Sequence, residues 1–153
     1  MKFLTDRNLG KLTTWLRILG HDAVYYTGPI GREFLKKGAR EARVVLTRRR
    51  DMARRDFSGH MFIIHADKVT DQLSELASQL PTLFDESALL SRCPRCNTPL
   101  DKTAKPSVKE CVPPYIYEIH DDFMTCPTCG RIFWHGSHAC RMHKLITLLR
   151  TAV

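Results

Sequence analysis

An α/β fold with a parallel sheet, followed by a small metal-held ribbon, is what this chain predicts, and three observations carry it. Short apolar runs alternate with amphipathic stretches of about 10 residues through the first half of the chain, the pattern of βαβ units. Two C-P-x-C knuckles, Cys93-Pro94-Arg95-Cys96 and Cys126-Pro127-Thr128-Cys129, stand in the second half with 29 residues between their inner cysteines. Six arginines crowd the stretch from Arg43 to Arg55 (Arg43, Arg48, Arg49, Arg50, Arg54 and Arg55) against one acid, Asp51.

Taken in order, residues 2–5 read as a strand that ends at Asp6. A helix over 8–19 follows, with Leu9, Leu12, Leu16 and Leu19 on one face, Trp15 broadening it and Gly20 as its stop. Residues 23–26 are a second strand, and Asp22 stands near its start. A helix over 31–41 turns Phe34 and Leu35 inward, and the β-branched run at 44–47 is a buried parallel strand. A basic helix over 49–56 leads to a fourth strand at 61–64. The amphipathic helix at 69–80 carries Leu73, Leu76 and Leu80 and stops at Pro81. Within the ribbon, 115–119 and 131–134 read as strands, and a basic helix over 140–149 closes the chain. The expected division is an α/β domain over 1–88 and a four-cysteine zinc ribbon with a C-terminal basic helix over 89–153.

A tetrahedral zinc ion takes four thiolates, and two C-x-x-C turns supply two each. Redox dithiols of the thioredoxin type come singly beside a βαβ pattern, so the doubled knuckle points to structural Zn²⁺ on Cys93, Cys96, Cys126 and Cys129. Cys111 and Cys140 are left over as buried free thiols. That usage suits a reducing cytoplasm rather than a disulfide scaffold. The residues predict a cytoplasmic protein with no membrane span, since no run of 18 apolar residues occurs and charge enters at Lys2.

The formal charge is +8. Four thiolates and one Zn²⁺ sum to −2, which takes the holo-protein to about +6. An excess of this size favours a polyanion, chiefly nucleic acid. Arginine suits phosphate because its planar fork bonds it bidentately, which makes Arg48, Arg49, Arg50 and Arg54 candidate RNA contacts; a solvated helix face is the competing reading. In open parallel sheets, ligands gather beyond the carboxyl ends of the strands. Asp6, Asp51 and Asp67 fall there, where carboxylates can hold Mg²⁺ or Mn²⁺ for phosphodiester hydrolysis or can serve as helix N-caps. After the second knuckle, His138 is a candidate RNA contact or a packed histidine. Phe133 and Trp134 are base-stacking or core aromatics.

The stretches K-F-L-T-D-R-N-L-G-K-L-T-T-W-L-R-I-L-G-H-D (2–22), R-V-V-L-T-R (43–48), S-R-C-P-R-C (91–96), V-P-P-Y-I-Y-E (112–118) and F-W-H-G-S-H (133–138) resemble the Mut-seven C-terminal ribonuclease family. The resemblance spans nearly the whole chain. It implies a PIN-like α/β fold with a C-terminal zinc ribbon, the four knuckle cysteines as zinc ligands, and divalent-metal cleavage of single-stranded RNA. Asp6 stands where the family keeps its first acid. Where the family pattern is Thr-Arg-Asp, this chain reads Thr47-Arg48-Arg49, and Asp51 lies two residues on, about 200° around a helix. Where the family has acids near 30–32, this chain reads Ile30-Gly31-Arg32 and leaves Glu33.

Two functional classes follow. One is a divergent ribonuclease using Asp6, Glu33, Asp51 and Asp67. The other is a catalytically degenerate PIN-like module that binds RNA, or a protein partner, without cutting. Because Mg²⁺ gives up water reluctantly, a site needs several carboxylates, and Arg49 repels the metal while favouring the phosphate. If zinc is structural, chelation unfolds 91–138 and leaves the first domain folded.

Overall fold

The computed structural model describes residues 1–151, with the side chains of residues 86, 137–141, 150 and 151 outside the description. Its first half is a four-stranded parallel sheet of β1 (Lys2–Thr5), β2 (Asp22–Tyr25), β3 (Val44–Thr47) and β4 (Met61–Ile63), in the order β2-β1-β3-β4. The helices α1 (Gly10–Ile18), α2 (Arg32–Arg40) and α3 (Val69–Gln79) connect the strands or follow them. Strand alternation sorts the core into two layers. Phe3 and Leu46 face α1 and α3, among Leu9, Leu12, Leu16, Leu73 and Leu76. Leu4 and Val45 face the other way, onto Phe34 and Leu35 of α2. Each fully buried leucine contributes about 1.5–3 kcal/mol from area alone, so the four-leucine stripe of α1 is what seats that helix.

The chain runs outward from β1 to β2, then returns across β1 to lay down β3. Strand order therefore reverses between β1 and β3, and a crevice opens outside their carboxyl ends. Thr5, Asp6 and Thr47 close those ends and are all fully buried.

Several expectations change here. The basic helix expected over 49–56 is a 3₁₀ segment, Arg50–Arg54, that drives Met52 completely into the α2-side core. Arg43 is separated from the other arginines: it stands just before β3, at the opposite end of the sheet. There it binds Asp22 at 2.9 Å, Glu41 at 2.7 Å and the carbonyls of Phe3 and Asp22. Those two partners make it a structural cation.

The ribbon is a three-stranded antiparallel sheet of β5 (Asp101–Thr103), β6 (Phe123–Thr125) and β7 (Ile132–Trp134). The stretch expected as a strand at 115–119 is instead the helix α4 (Pro114–Ile119). Pro114 occupies its first position, where a missing N–H costs nothing and the fixed φ suits a helix. Val112 and Ile116 then lie four apart and bury together with Val108 and Phe123. The polar strand β5 carried no apolar signal to find. Cys111 is exposed rather than buried. The side chains of His138 and Cys140 lie outside the description.

The last helix, α5 (Ser137–Thr151), leaves the ribbon and packs Leu145, Ile146 and Leu149 on the α1–α3 core. The turn after α1 also depends on the later chain. Gly20 holds φ +86°, and a Cβ there would lie 2.0 Å from the Ala88 carbonyl oxygen. Leu90 donates its amide to the Ile18 carbonyl at 2.7 Å, so the segment entering the ribbon caps α1. Among the described residues no helix is long and apolar enough to cross a membrane.

His21 is buried under this layer, its Nε2–H donating to the Leu83 carbonyl at 2.8 Å and its ring edge-on to Phe3 at 5.5 Å. Burial holds its pKa below the ordinary value, and the Leu83 carbonyl only partly offsets that. The folded state therefore keeps His21 neutral while the unfolded chain protonates it near pH 6.5. Its contribution is complete above that pH and is lost as pH falls, at up to about 1.4 kcal/mol per pH unit. Denaturant midpoints at pH 7 and pH 5 are expected to differ more in the parent than in His21→Gln; equal pH dependence would rule out His21 as the cause.

Candidate functional site

Asp6 sits at the bottom of the crevice. One carboxylate oxygen accepts the Asn8 amide at 2.7 Å; the other accepts the Thr47 hydroxyl at 2.6 Å and the Arg48 amide at 2.9 Å. Its backbone amide also donates to the Leu46 carbonyl at 3.0 Å, extending the β1–β3 ladder. A buried carboxylate needs such donors to remain charged. Here the three donors come from the start of α1 and the end of β3, so Asp6 fastens those elements together beneath the crevice floor, and it is 0% exposed.

Above it lies a cleft of about 320 Å³, lined among others by Asn8, Lys11, Arg48, Asp67 and Gln72. Arg48 projects from the end of β3 and pairs with Asp67 at 2.5 Å, while Asp67 is 87% exposed. Arg49 takes a different route. Its guanidinium grips Asp51 through Nε and Nη2 at 2.9 and 2.7 Å and donates Nη1 to the Ile30 carbonyl at 3.0 Å. That pairing holds the Asp51 carboxyl below its usual range, with the Arg49 hydrogen bond the chief cause. Glu33, in the first turn of α2, is paired with Lys36 at 2.9 Å, which lowers its pKa in the same way. Arg50 and Arg54 are exposed and carry no ion pair to a described residue.

The structure therefore brings Arg48 and Asp67 to one cleft, with Asp6 buried beneath it, and leaves Asp51 and Glu33 with their own cationic partners. Among the described residues, the only group of three or more potential ligands close enough to share an ion is the cysteine quartet. Asp6 holds three donors, and Asp67, Asp51 and Glu33 each face a cationic neighbour. Lys11 is the cleft residue that sequence reading passed over. Its signal was its place in the first turn of α1, directly after the Asp6 strand end.

The quartet fits zinc closely. The ligand atoms of Cys93, Cys96, Cys126 and Cys129 all lie within 4.8 Å of one another. Sγ of Cys93 and Cys129 stand 3.9 Å apart, against about 3.8 Å for two corners of a tetrahedron with 2.3 Å Zn–S bonds. Both knuckles close alike, with Asn97 N donating to Cys93 O at 2.9 Å and Gly130 N to Cys126 O at 2.8 Å. Both closing residues hold positive φ, +65° and +68°. Burial, with Cys129 and Cys93 beside it, pushes the Cys96 thiol up to about 12, and burial raises Cys93 as well. Burial also opposes ionisation of Cys126, but the amides of Cys129 and Thr128 outweigh it and draw that thiol down to about 7. Two of the thiols, Cys93 and Cys96, are thus held from ionising in the bare quartet, an effect that a divalent cation would offset.

The ribbon is clamped to the first sheet through its first knuckle. Arg17 of α1 donates to the carbonyls of Pro94 and Arg95 at 3.0 and 2.8 Å. Asn97 accepts the Ala23 amide at 3.0 Å and donates to Asp22 at 2.6 Å. Phe133 and Trp134 both serve packing: Phe133 lies against the knuckle cluster, and Trp134 against Val108, Ile116 and Phe123.

A family model described as Mut7-C RNAse domain matches residues 1–146, nearly the whole chain. No curated protein and no solved structure matches it.

The clamp makes metal loss a matter for both halves. Chelation is expected to melt the ribbon and to cost the α/β layer about 2 kcal/mol, from several hydrogen bonds at roughly 0.5–1.5 kcal/mol each. That is a fall of roughly 10 °C in its midpoint, read by Trp15 fluorescence in a Trp134→Phe background. Arg17→Ala with Asn97→Ala should reproduce part of the fall with zinc still bound. An α/β layer that melts at the same temperature with and without chelator would show that the clamp carries no energy.

Proposed function

Because the chain belongs to the Mut7-C RNAse domain family, we propose that it acts on RNA, as a phosphate-binding module whose acids do not assemble a divalent-metal centre. One observation carries this reading: every candidate acid is occupied. Asp6 is saturated by three donors, and Asp67, Asp51 and Glu33 each face a cation. The cationic partners are the better resource. Exposed ion pairs of this kind contribute about 0–1 kcal/mol, so a phosphate oxygen can displace Asp67 from Arg48 or Asp51 from Arg49 at small cost. Lys11 and Arg48 would hold a phosphate at the mouth of the cleft, with the exposed Asn8 beside them. Arg49, Arg50 and Arg54 extend the positive edge, with Arg as the group of choice for bidentate phosphate contacts. The zinc ribbon is structural in this reading, holding a second surface against the sheet through its clamp.

A metal-dependent endonuclease is the second reading. Its support is that Asp6 and Asp67 flank a single residue, Arg48, at the strand-order reversal. It requires Arg48 to leave Asp67 and Asp6 to surrender a donor.

The two part company in one assay, cleavage of labelled single-stranded RNA with Mn²⁺ alongside a binding titration. Binding without cleavage is expected, weakening with salt. Arg48→Ala should lower affinity uniformly across sequences and shallow the salt slope by about 0.7. Cleavage by the parent that vanishes in Asp67→Asn would overturn the non-catalytic reading. Asp6→Asn alone cannot make that case, since an amide turned toward the Thr47 and Arg48 donors costs about 1–3 kcal/mol of fold stability. Cleavage appearing only in Arg49→Asp would mean that the arginine silences the site.

A further inference from the structure

A second basic surface lies away from the strand-end cleft, on the α2 side of the sheet. There a groove of about 480 Å³ is lined by Arg32, Leu35, Lys36 and Ala39 of α2 and by Arg55 and Phe57 from the segment between the 3₁₀ turn and β4. The four α2 residues fall at i, i+3, i+4 and i+7, one face of the helix. Leu35 is buried as the floor, and Ala39 is small enough to leave the space open. Phe57 forms the facing wall. Its ring lies over Gly59, where a Cβ would come to 2.7 Å of it, and packs against the α2-side core.

Charge in the groove is one-sided. Arg32, Lys36 and Arg55 face it, with Asp56 as the acid on its rim. Among the described residues Arg32 and Arg55 carry no ion pair, and the Lys36–Glu33 pair is exposed on both sides. Arg32 and Lys36 stand about 6 Å apart along the helix axis. Arg49 stands between the groove and the cleft: from the end of β3 it reaches the Ile30 carbonyl, two residues before Arg32. Arg55 directly follows the Arg50–Arg54 turn and lines the groove.

We infer that this groove is a second phosphate-binding subsite, and that one strand of RNA runs from the strand-end cleft over Arg49 and along α2. The inference rests on the RNA-binding function proposed above and adds the path of the strand. The groove falls in the roughly 300–1,000 Å³ range of small-molecule pockets, large enough to admit nucleotides of a single strand. Phe57 supplies an aromatic edge for an unpaired base, as single-strand sites use.

The test compares a short oligouridylate of about 4 nucleotides with a longer one of about 16, the span of single-strand sites, each titrated over a range of salt. The parent should bind the longer oligonucleotide more tightly. The variant Arg32→Ala/Lys36→Ala/Arg55→Ala should lose that advantage, its salt slope for the longer oligonucleotide shallower by about 2, from three contacts at about 0.7 each. Its affinity for the short one should stay unchanged. Arg48→Ala should weaken both lengths, and Arg32→Lys/Arg55→Lys should keep the parent slope. All three groove cations are exposed, so an unchanged thermal midpoint confirms that the fold is intact. If the triple variant binds the longer oligonucleotide like the parent, the groove is not on the path and the cleft reading stands alone. An equal loss at both lengths means general attraction rather than a subsite and overturns the inference. Should the parent bind neither oligonucleotide, the RNA reading fails and the groove falls with it.

Discussion

The constraint on which the site depends is the burial of one carboxylate. Asp6 ends β1 at the reversal of strand order, and water cannot reach it. A charge in that position is tolerable only if protein donors replace its hydration. Those donors are the amides of Asn8 and Arg48 and the hydroxyl of Thr47. Supplying them fixes the turn into α1 and aligns the end of β3 with the end of β1. It also decides which way Arg48 leaves the strand. The cleft above, with Lys11 and Arg48 on its walls, is shaped by this buried charge even though the charge itself is withdrawn from it.

What remains exposed is then sorted by pairing. Arg48 takes Asp67, Arg49 takes Asp51, and Lys36 takes Glu33. None of these pairs adds much stability, since water screens them. Their effect is on chemistry. A divalent ion needs several carboxylates turned toward one point, and each pairing turns a carboxylate toward a cation instead. The same pairs cost little to open for a phosphate. In the function proposed here, an arginine beside a weakly held carboxylate is the group that would take a phosphate.

The ribbon follows a different economy. Its sheet is small and its strands are three residues long, too little apolar area to hold a fold unaided. The four cysteines stand close enough to hold a metal ion such as zinc, which would supply the missing energy. The first knuckle is then used twice, once for its sulfurs and once for its backbone, which Arg17 and Asn97 tie to α1 and β2. With α5 returning to the α1–α3 core, the chain is bound to the first layer on both sides of the ribbon.

Much of this was legible in the residues. Leu9, Leu12, Leu16 and Leu19 announced α1, the run at 44–47 announced a buried strand, and the doubled C-P-x-C spacing announced the cysteine quartet, because periodicity and ligand spacing are local properties that a chain carries wherever it folds. The failures have one physical cause as well. Pro114 outweighed the strand-like look of 115–119 once Val112 and Ile116 could bury together, and the polar strand β5 is held by its neighbours rather than by its own propensity. The six arginines read as one cluster, yet Arg43 went to the far end of the sheet because Asp22 and Glu41 were there to receive it. The sequence by itself determined most of the elements, the cysteine quartet and the positive charge. Only the tertiary structure decided that Arg48 meets Asp67 and Arg43 meets Asp22, because those ion pairs form between side chains that the fold brings together, and that adjacency is absent from the order of the residues.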